Sequence, residues 1–322
     1  MPNWTVVLKE IEKAQRDGDP APFDLVRRKY LAKLQQHTGR NVICYYSGFM
    51  QKPKLEGIEI NDDDKNGLML CAHKMDRDKG LDLFLHTPGG DIAATESLVH
   101  YIKEMFPDVR AIVPQIAMSA GTMIACSCRS IVMGKHSNIG PIDPQFNGIP
   151  AIGVIKEVEN AFNDIVADER YSYVWNPILS QLPPSFLKQC QWAIERSRDF
   201  IESALKNGMM KDLPPEAIEK AVNRLTDLTY NKGHNRHIHY SECRDIGLNI
   251  EMLEEGDKEL QDLILTIHHC FMHTMSNTQA FKIIEDHRGR AHVRLQAQQQ
   301  TLLQLPPELM NAMREGEPPQ IQ

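Results

Sequence analysis

No stretch of this 322-residue chain approaches the ~18 consecutive apolar residues that a membrane-spanning helix needs. The opening segment, MPNWTVVLKEIEKAQRDGD, lacks the apolar core of an export signal, so a cytoplasmic location is the expectation. Excess positive charge is missing too: 36 Lys and Arg stand against 43 Asp and Glu, a formal net charge of -7. Without a broad basic field, nucleic acid is not an expected partner. The seven cysteines are odd in number and scattered, which suits reduced, buried thiols better than a disulfide framework. There is no internal repeat, no HExxH pair and no calcium loop, since Asp62, Asp63 and Asp64 lack the required Gly and terminal Glu. His269 and His273 share a helical face beside Cys270, and His234, His237 and His239 gather in a polar segment. A partly buried helix face and an exposed loop are the simpler readings, so neither a metal nor a cofactor is expected.

Present in quantity is apolar residue, 42% of the chain, enough to bury a large core. Residues 4–15 and 22–37 have helical apolar spacing and many charges, and read as an N-terminal helical arm over residues 1–38. Strands are expected at 41–47, 81–86, 109–115 and 129–134, alternating with helices at 64–77, at 92–105 and from Ser119 onward. Strands apolar on both faces, alternating with helices, point to an α/β fold with a parallel sheet covered by flanking helices. Beyond residue 150 the pattern turns helical, at 152–170, 184–208, 214–225, 241–247 and 255–279, and a hairpin is expected over 281–296 with its turn at His287–Gly289. The core α/β domain is placed at 39–253, a helix and hairpin extension at 254–296, and a loose polar, Pro-rich tail at 297–322.

The most unusual turns, TPGGD and MSAGT, both lie where an apolar strand hands over to a helix, the place where such sheets collect functional groups. Gly89 and Gly90 allow backbone N–H groups to face an incoming oxygen without side-chain obstruction. Ser119 follows a strand directly and precedes the small residues Ala120, Gly121 and Thr122. Its hydroxyl can therefore project at a helix N-terminus that favours developing negative charge, or serve merely as a helix cap. Together the turns offer what acyl transfer requires, a nucleophile and a separate oxyanion donor from neighbouring strand ends.

The segment from Leu83 to Gln145, carrying LFLHTPGGD, QIAMSAGT and SIVMGKHSNIGPIDP, resembles the Clp protease and signal-peptide-peptidase superfamily with its ClpP/crotonase fold. It is most similar to the serine dehydrogenase proteinase branch. The resemblance implies a serine endopeptidase acting on peptides or proteins, with Ser119 as nucleophile, an oxyanion hole from Gly90 and Ala120 beside Gly89, and assembly as a homo-oligomer. The N-terminal arm and the 255–279 helix are the expected contact elements, and delivery of substrate by an ATPase or a membrane partner is left open. The Clp histidine has no counterpart: Ile142 stands at its place, followed by Asp143 and Pro144. Signal-peptide-peptidase relatives use a lysine instead, which makes Lys156, in the apolar setting PAIGVIKEV, the first candidate for the base. His136 in GKHSNIGP is the second and Lys135 the third. A crotonase-like acyl-CoA enzyme and a catalytically inactive scaffold of the same fold are the competing readings.

Overall fold

Every residue of NVICYYS (β1, Asn41–Ser47) is buried, which a strand achieves only when helices cover both of its faces. The computed structural model, which describes residues 4–227, 231 and 233–296, shows that cover. Strand β1 runs parallel to β2 (Leu81–His86), and the parallel order continues through β3 (Val109–Val113) and β5 (Ser130–Met133) to β10 (Ile250–Met252). On its other side β1 pairs antiparallel with β11 (Ala280–Asp286), which pairs in turn with β12 (Ala291–Leu295). The result is a seven-stranded sheet ordered β10-β5-β3-β2-β1-β11-β12. The hairpin read as part of an extension thus completes the central sheet.

Alternation along the strands separates two cores. Ile43, Tyr45, Leu83, Leu85, Ala111 and Ile131 face a layer that includes α3 (Asp64–Ala72), α4 (Ile92–Met105) and α5 (Ala120–Cys126). Val42, Cys44, Tyr46, Phe84, Ile112 and Val132 face α2 (Pro22–Thr38) and α11 (Lys258–Asn277), with α1 (Trp4–Arg16) packed outside them. Helix α11 buries residues on almost every turn, so most of its surface is used inside the chain rather than offered to a partner. All seven cysteines are buried and unpaired.

The helical half begins at α6 (Ala151–Ala167), followed by α7 (Ser172–Leu179), α8 (Phe186–Lys206), α9 (Pro215–Thr226) and α10 (Tyr240–Asp245). The helix expected over 152–170 stops early because Asp168, at φ -153° and ψ 111°, leaves the helical region. Helix α7 has no counterpart in the sequence reading: it is eight residues long, contains Pro177 and buries no residue. The helix expected over 64–77 also ends early, shortly before Lys74 takes a positive φ of 56°. Short strands β4 (Ile116–Ala117), β6 (Asn138–Ile139) and β9 (Ile238–His239) form a separate small sheet in the order β4-β6-β9, and β7 (Gln145–Phe146) pairs with β8 (Ile149–Pro150). The tail expected from residue 297 lies outside the described residues.

Candidate active site

Ser119 sits in the sharp turn between β4 and α5 with φ 48° and ψ -111°, a conformation that costs a non-glycine residue about 1–3 kcal/mol. The surroundings impose it. The Thr87 N–H donates to the Ile116 carbonyl at 3.2 Å, and the Met118 N–H donates to the Thr87 carbonyl at 3.0 Å. On the helix side, the Thr122 hydroxyl lies 3.0 Å from the Ala117 carbonyl and 2.8 Å from the Gly140 carbonyl, and it accepts from the Gly140 N–H at 3.0 Å. The Ser119 side chain makes no capping hydrogen bond although it occupies the cap position. A strained serine whose hydroxyl is not spent on its own helix is the geometry of a nucleophile held at a strand-to-helix elbow.

The glycine turn lies directly against it. Gly89 has φ +103°, and a Cβ there would come within 2.8 Å of the Ser119 Cβ and 3.1 Å of the Ala120 nitrogen. At Gly90 a Cβ would fall onto the backbone of Ile60. Ile60 clamps this turn like a strand of a single residue: its N–H donates to the Gly89 carbonyl at 2.8 Å, and its carbonyl accepts from the Asp91 N–H at 2.9 Å. The Asp91 carboxylate caps α4 through the Ala94 N–H at 2.7 Å. Among the described residues, the N–H groups of Gly90 and Ala120 donate to nothing. Two unspent backbone donors beside a serine hydroxyl are the components of an oxyanion hole.

A buried ion pair anchors the clamp. Lys282 Nζ, on β11, lies 2.8 and 3.0 Å from the two Asp64 carboxylate oxygens and donates to the Glu59 carbonyl at 2.7 Å. Asp64 also accepts from the Tyr45 hydroxyl at 2.8 Å and from the Asn61 N–H at 3.0 Å. Burial holds the Lys282 ammonium below its usual range although Asp64 pulls the other way, and burial together with Asp64 pushes the Tyr45 phenol well up. The segment from Glu59 to Asp64, and Ile60 with it, is thereby fixed to the sheet.

Ser119 and Gly90 open into a cavity of about 810 Å³, a size that holds a drug-sized ligand or a short stretch of peptide. Its far wall is formed by the β7–β8 hairpin at Phe146, Asn147 and Gly148 and by α8 at Gln189, Trp192 and Arg196. Gly89 and Ala120 are buried immediately beneath. Lys156 is exposed on α6 and is not among the lining residues. His136 and Lys135 are exposed in the turn after β5 and do not line the cavity. The Lys135 N–H donates to the Glu254 carboxylate at 3.0 Å. The structure therefore gathers Ser119, Gly89, Gly90 and Ala120 in one place and leaves the lysine and histidine candidates elsewhere.

Two residues not chosen from the sequence line the same cavity. Asp143 is almost fully buried, and His234 Nδ1 lies 3.7 Å from its Oδ2. The signal for Asp143 is an acid set between Ile142 and Pro144 where the superfamily carries its histidine; for His234, distant in sequence, no spacing rule brings it there. The paired histidines His269 and His273 instead pack against Trp4, whose carbonyl is 3.2 Å from His273 Nε2. Among the described residues no group of three or more His, Cys, Asp or Glu is arranged to hold a metal.

A mostly parallel sheet covered by helices, with a serine elbow set against a glycine turn, defines a ClpP-like α/β protein. Residues 23–264 match the family described as ClpP-like SDH-type serine proteinase, and the chain belongs to that family. An uncharacterized protein of Methanocaldococcus jannaschii is 28% identical over 235 residues, which cover 71% of this chain and 74% of that one. A second uncharacterized protein of that organism is 25% identical over 229 residues, 70% of this chain and 71% of its own. ATP-dependent Clp protease proteolytic subunit 2 of Streptomyces coelicolor is 24% identical over 209 residues, 61% of this chain and 86% of the relative.

Proposed function

We propose that this chain is a serine endopeptidase in which Ser119 forms an acyl-enzyme with a peptide carbonyl. The observation that carries the reading is the strained Ser119, its hydroxyl uncapped, set against the Gly90 and Ala120 amides that have no partner among the described residues, at the mouth of an open cavity. As the Ser119 oxygen bonds to the carbonyl carbon, negative charge collects on the former carbonyl oxygen, where preorganised N–H groups stabilise it without reorganising. Departure of the amine leaves the acyl-enzyme, and water releases it. The attack needs a proton acceptor. Lys156, which the resemblance implies, stands exposed on α6.

A fluorophosphonate probe, which reacts covalently with an activated serine, tests the reading together with casein hydrolysis. Wild-type protein is expected to label and to cleave, and Ser119→Ala to do neither. Equal labelling of the two would overturn it, and acyl-CoA turnover that survives Ser119→Ala would favour the crotonase-like alternative.

We also propose that the active form is a homo-oligomer joined through the α6–α7 surface rather than through α11. Phe162, Val166 and Tyr173 are 69%, 71% and 84% exposed there, a cluster of large apolar side chains of the kind that marks a contact surface. Oligomeric assembly with a substrate of peptide or protein is the behaviour the Clp-like resemblance implies.

A further inference from the structure

We propose that the groove between α4 and α8, which adjoins the Ser119 cavity, holds an extended, basic segment of the protein substrate, a substrate class that rests on the peptidase reading above. The fold supplies the first argument. Helix α8 turns one apolar stripe, with Ile201 and Leu205, into the core. A second stripe, Trp192, Arg196, Asp199 and Ser203, recurs at helical spacing, is exposed, and faces Glu96 and Lys103 of α4 across open space. Charged side chains gain nothing by closing on one another as apolar ones would, and a groove of about 630 Å³ remains. Between Trp192 and Ser203 the helix rises about 17 Å, which an extended chain covers in about five residues.

Continuity with the Ser119 cavity supplies the second. Trp192 and Arg196 line both spaces, so a chain lying against Ser119 can run on past these two side chains without leaving the surface. Trp192 is 57% exposed, and Lys188 Nζ lies 5.5 Å from its ring centroid, so its face already accepts one cation. On the next turn of α8, Ser197 lines the Ser119 cavity, and its almost wholly buried hydroxyl has no hydrogen-bond partner among the described residues. A buried hydroxyl without a partner costs free energy that the backbone of a bound peptide would recover.

Charge selects the occupant. The carboxylates lining the two spaces are Glu59, Asp91 and Asp143 around Ser119 and Glu96, Glu195 and Asp199 in the groove, against the cations Lys103 and Arg196 alone. Arg196 is engaged by both oxygens of Glu96, at 2.8 and 2.5 Å. Glu195 and Asp199 make no ion pair among the described residues. A cleft walled mainly by one sign of charge concentrates the opposite sign. Lysine and arginine side chains of an extended substrate suit that field and the Trp192 face, whereas an acidic segment meets repulsion.

The test uses the full chain and two peptides that share one scissile bond and differ in a distal segment of about five residues, lysine-rich in one and glutamate-rich in the other. Rates are read per Ser119 labelled by the fluorophosphonate probe, which separates loss of binding from loss of catalytic centres, and thermal unfolding confirms that each variant is folded. Wild type is expected to cleave the lysine-rich peptide with a kcat/KM about tenfold higher, a difference carried by KM and reduced by added salt. Glu195→Lys with Asp199→Lys is expected to abolish or reverse the preference, and Trp192→Ala to raise KM for the lysine-rich peptide about threefold. Fluorescence anisotropy of the same peptides on Ser119→Ala protein is expected to give the same order of affinity. Cleavage and binding of the two peptides within about twofold of each other, or a preference untouched by charge reversal in a folded variant, would overturn the assignment. So would a change of native mass on charge reversal, because the groove would then be a contact between copies. A wild-type protein that neither labels nor cleaves, while Ser119→Ala still prefers the lysine-rich peptide, is a different result: it removes the peptidase reading and leaves the basic-segment site standing.

Discussion

The backbone of Ser119 stores strain that a glycine would not feel. Ser119→Gly is therefore expected to be more stable than Ser119→Ala by about 1 kcal/mol in chemical denaturation, both variants being inactive. Equal stability would mean that the turn is relaxed. Gly90→Ala places a methyl group on the Ile60 backbone and is expected to cost about 1–3 kcal/mol together with most of the labelling rate, read by denaturation and probe kinetics. His86, at the end of β2, is fully buried and its ring nitrogens have no partner among the described residues. Burial lowers its pKa to about 3, whereas in the unfolded chain it titrates at about 6.5. The unfolded state then binds the extra proton between those values, so stability is complete above about pH 6.5 and declines as the pH falls toward 3. Between pH 7.5 and 5.5 this site is expected to cost about 1.4 kcal/mol, and His86→Phe should reduce the acid loss by that amount in paired denaturation curves. An unchanged pH dependence in the variant would exclude His86 as the cause. At this scale the glycine turn at Gly89–Gly90 and the serine turn at Ser119, which the fold brings together, were legible because turn chemistry is local, whereas Ala120 was named only through the family resemblance. His234 was not, because its place opposite Asp143 depends on the pairing of β9 with β6.

Elements were legible where a local pattern exists. The helix at 92–105 appears with the expected bounds, and the hairpin at 281–296 appears as β11 and β12. Helix α7 escaped because it is short and interrupted by Pro177, a residue that ordinarily argues against a helix. Nor does any local signal show that β11 pairs antiparallel with β1 and sends Lys282 across to Asp64 on α3. Removing one partner of a buried pair leaves an uncompensated charge. Lys282→Met is accordingly expected to destabilise the protein by about 3–5 kcal/mol, and Lys282→Met with Asp64→Leu to recover much of that loss in urea denaturation. A double variant no more stable than the single one would show that the pair contributes more than mutual neutralisation. Because this pair also anchors Ile60 behind Gly89, labelling by the single variant should slow as well.

At the scale of the molecule, apolar composition alone does not decide which helices are buried. Helix α11, whose length suggested a contact element, fills the space beneath the sheet, while α6 and α7 present Phe162, Val166, Tyr173 and Val174 to solvent. Tyr173→Glu with Val174→Glu is expected to shift the native mass from oligomer to a smaller species in sedimentation, with far-UV circular dichroism unchanged; an unaltered mass would place the interface elsewhere. The amino-acid sequence by itself determined the layered α/β class and the two turns that meet at Ser119, since both follow from periodicity and turn chemistry within a few residues. Tertiary structure alone decided that the C-terminal hairpin joins the central sheet and that His234 faces Asp143 in the cavity of Ser119. The physical reason is that strand partners are chosen by burial and hydrogen bonding across the whole chain, and no local pattern records which distant segment will satisfy them.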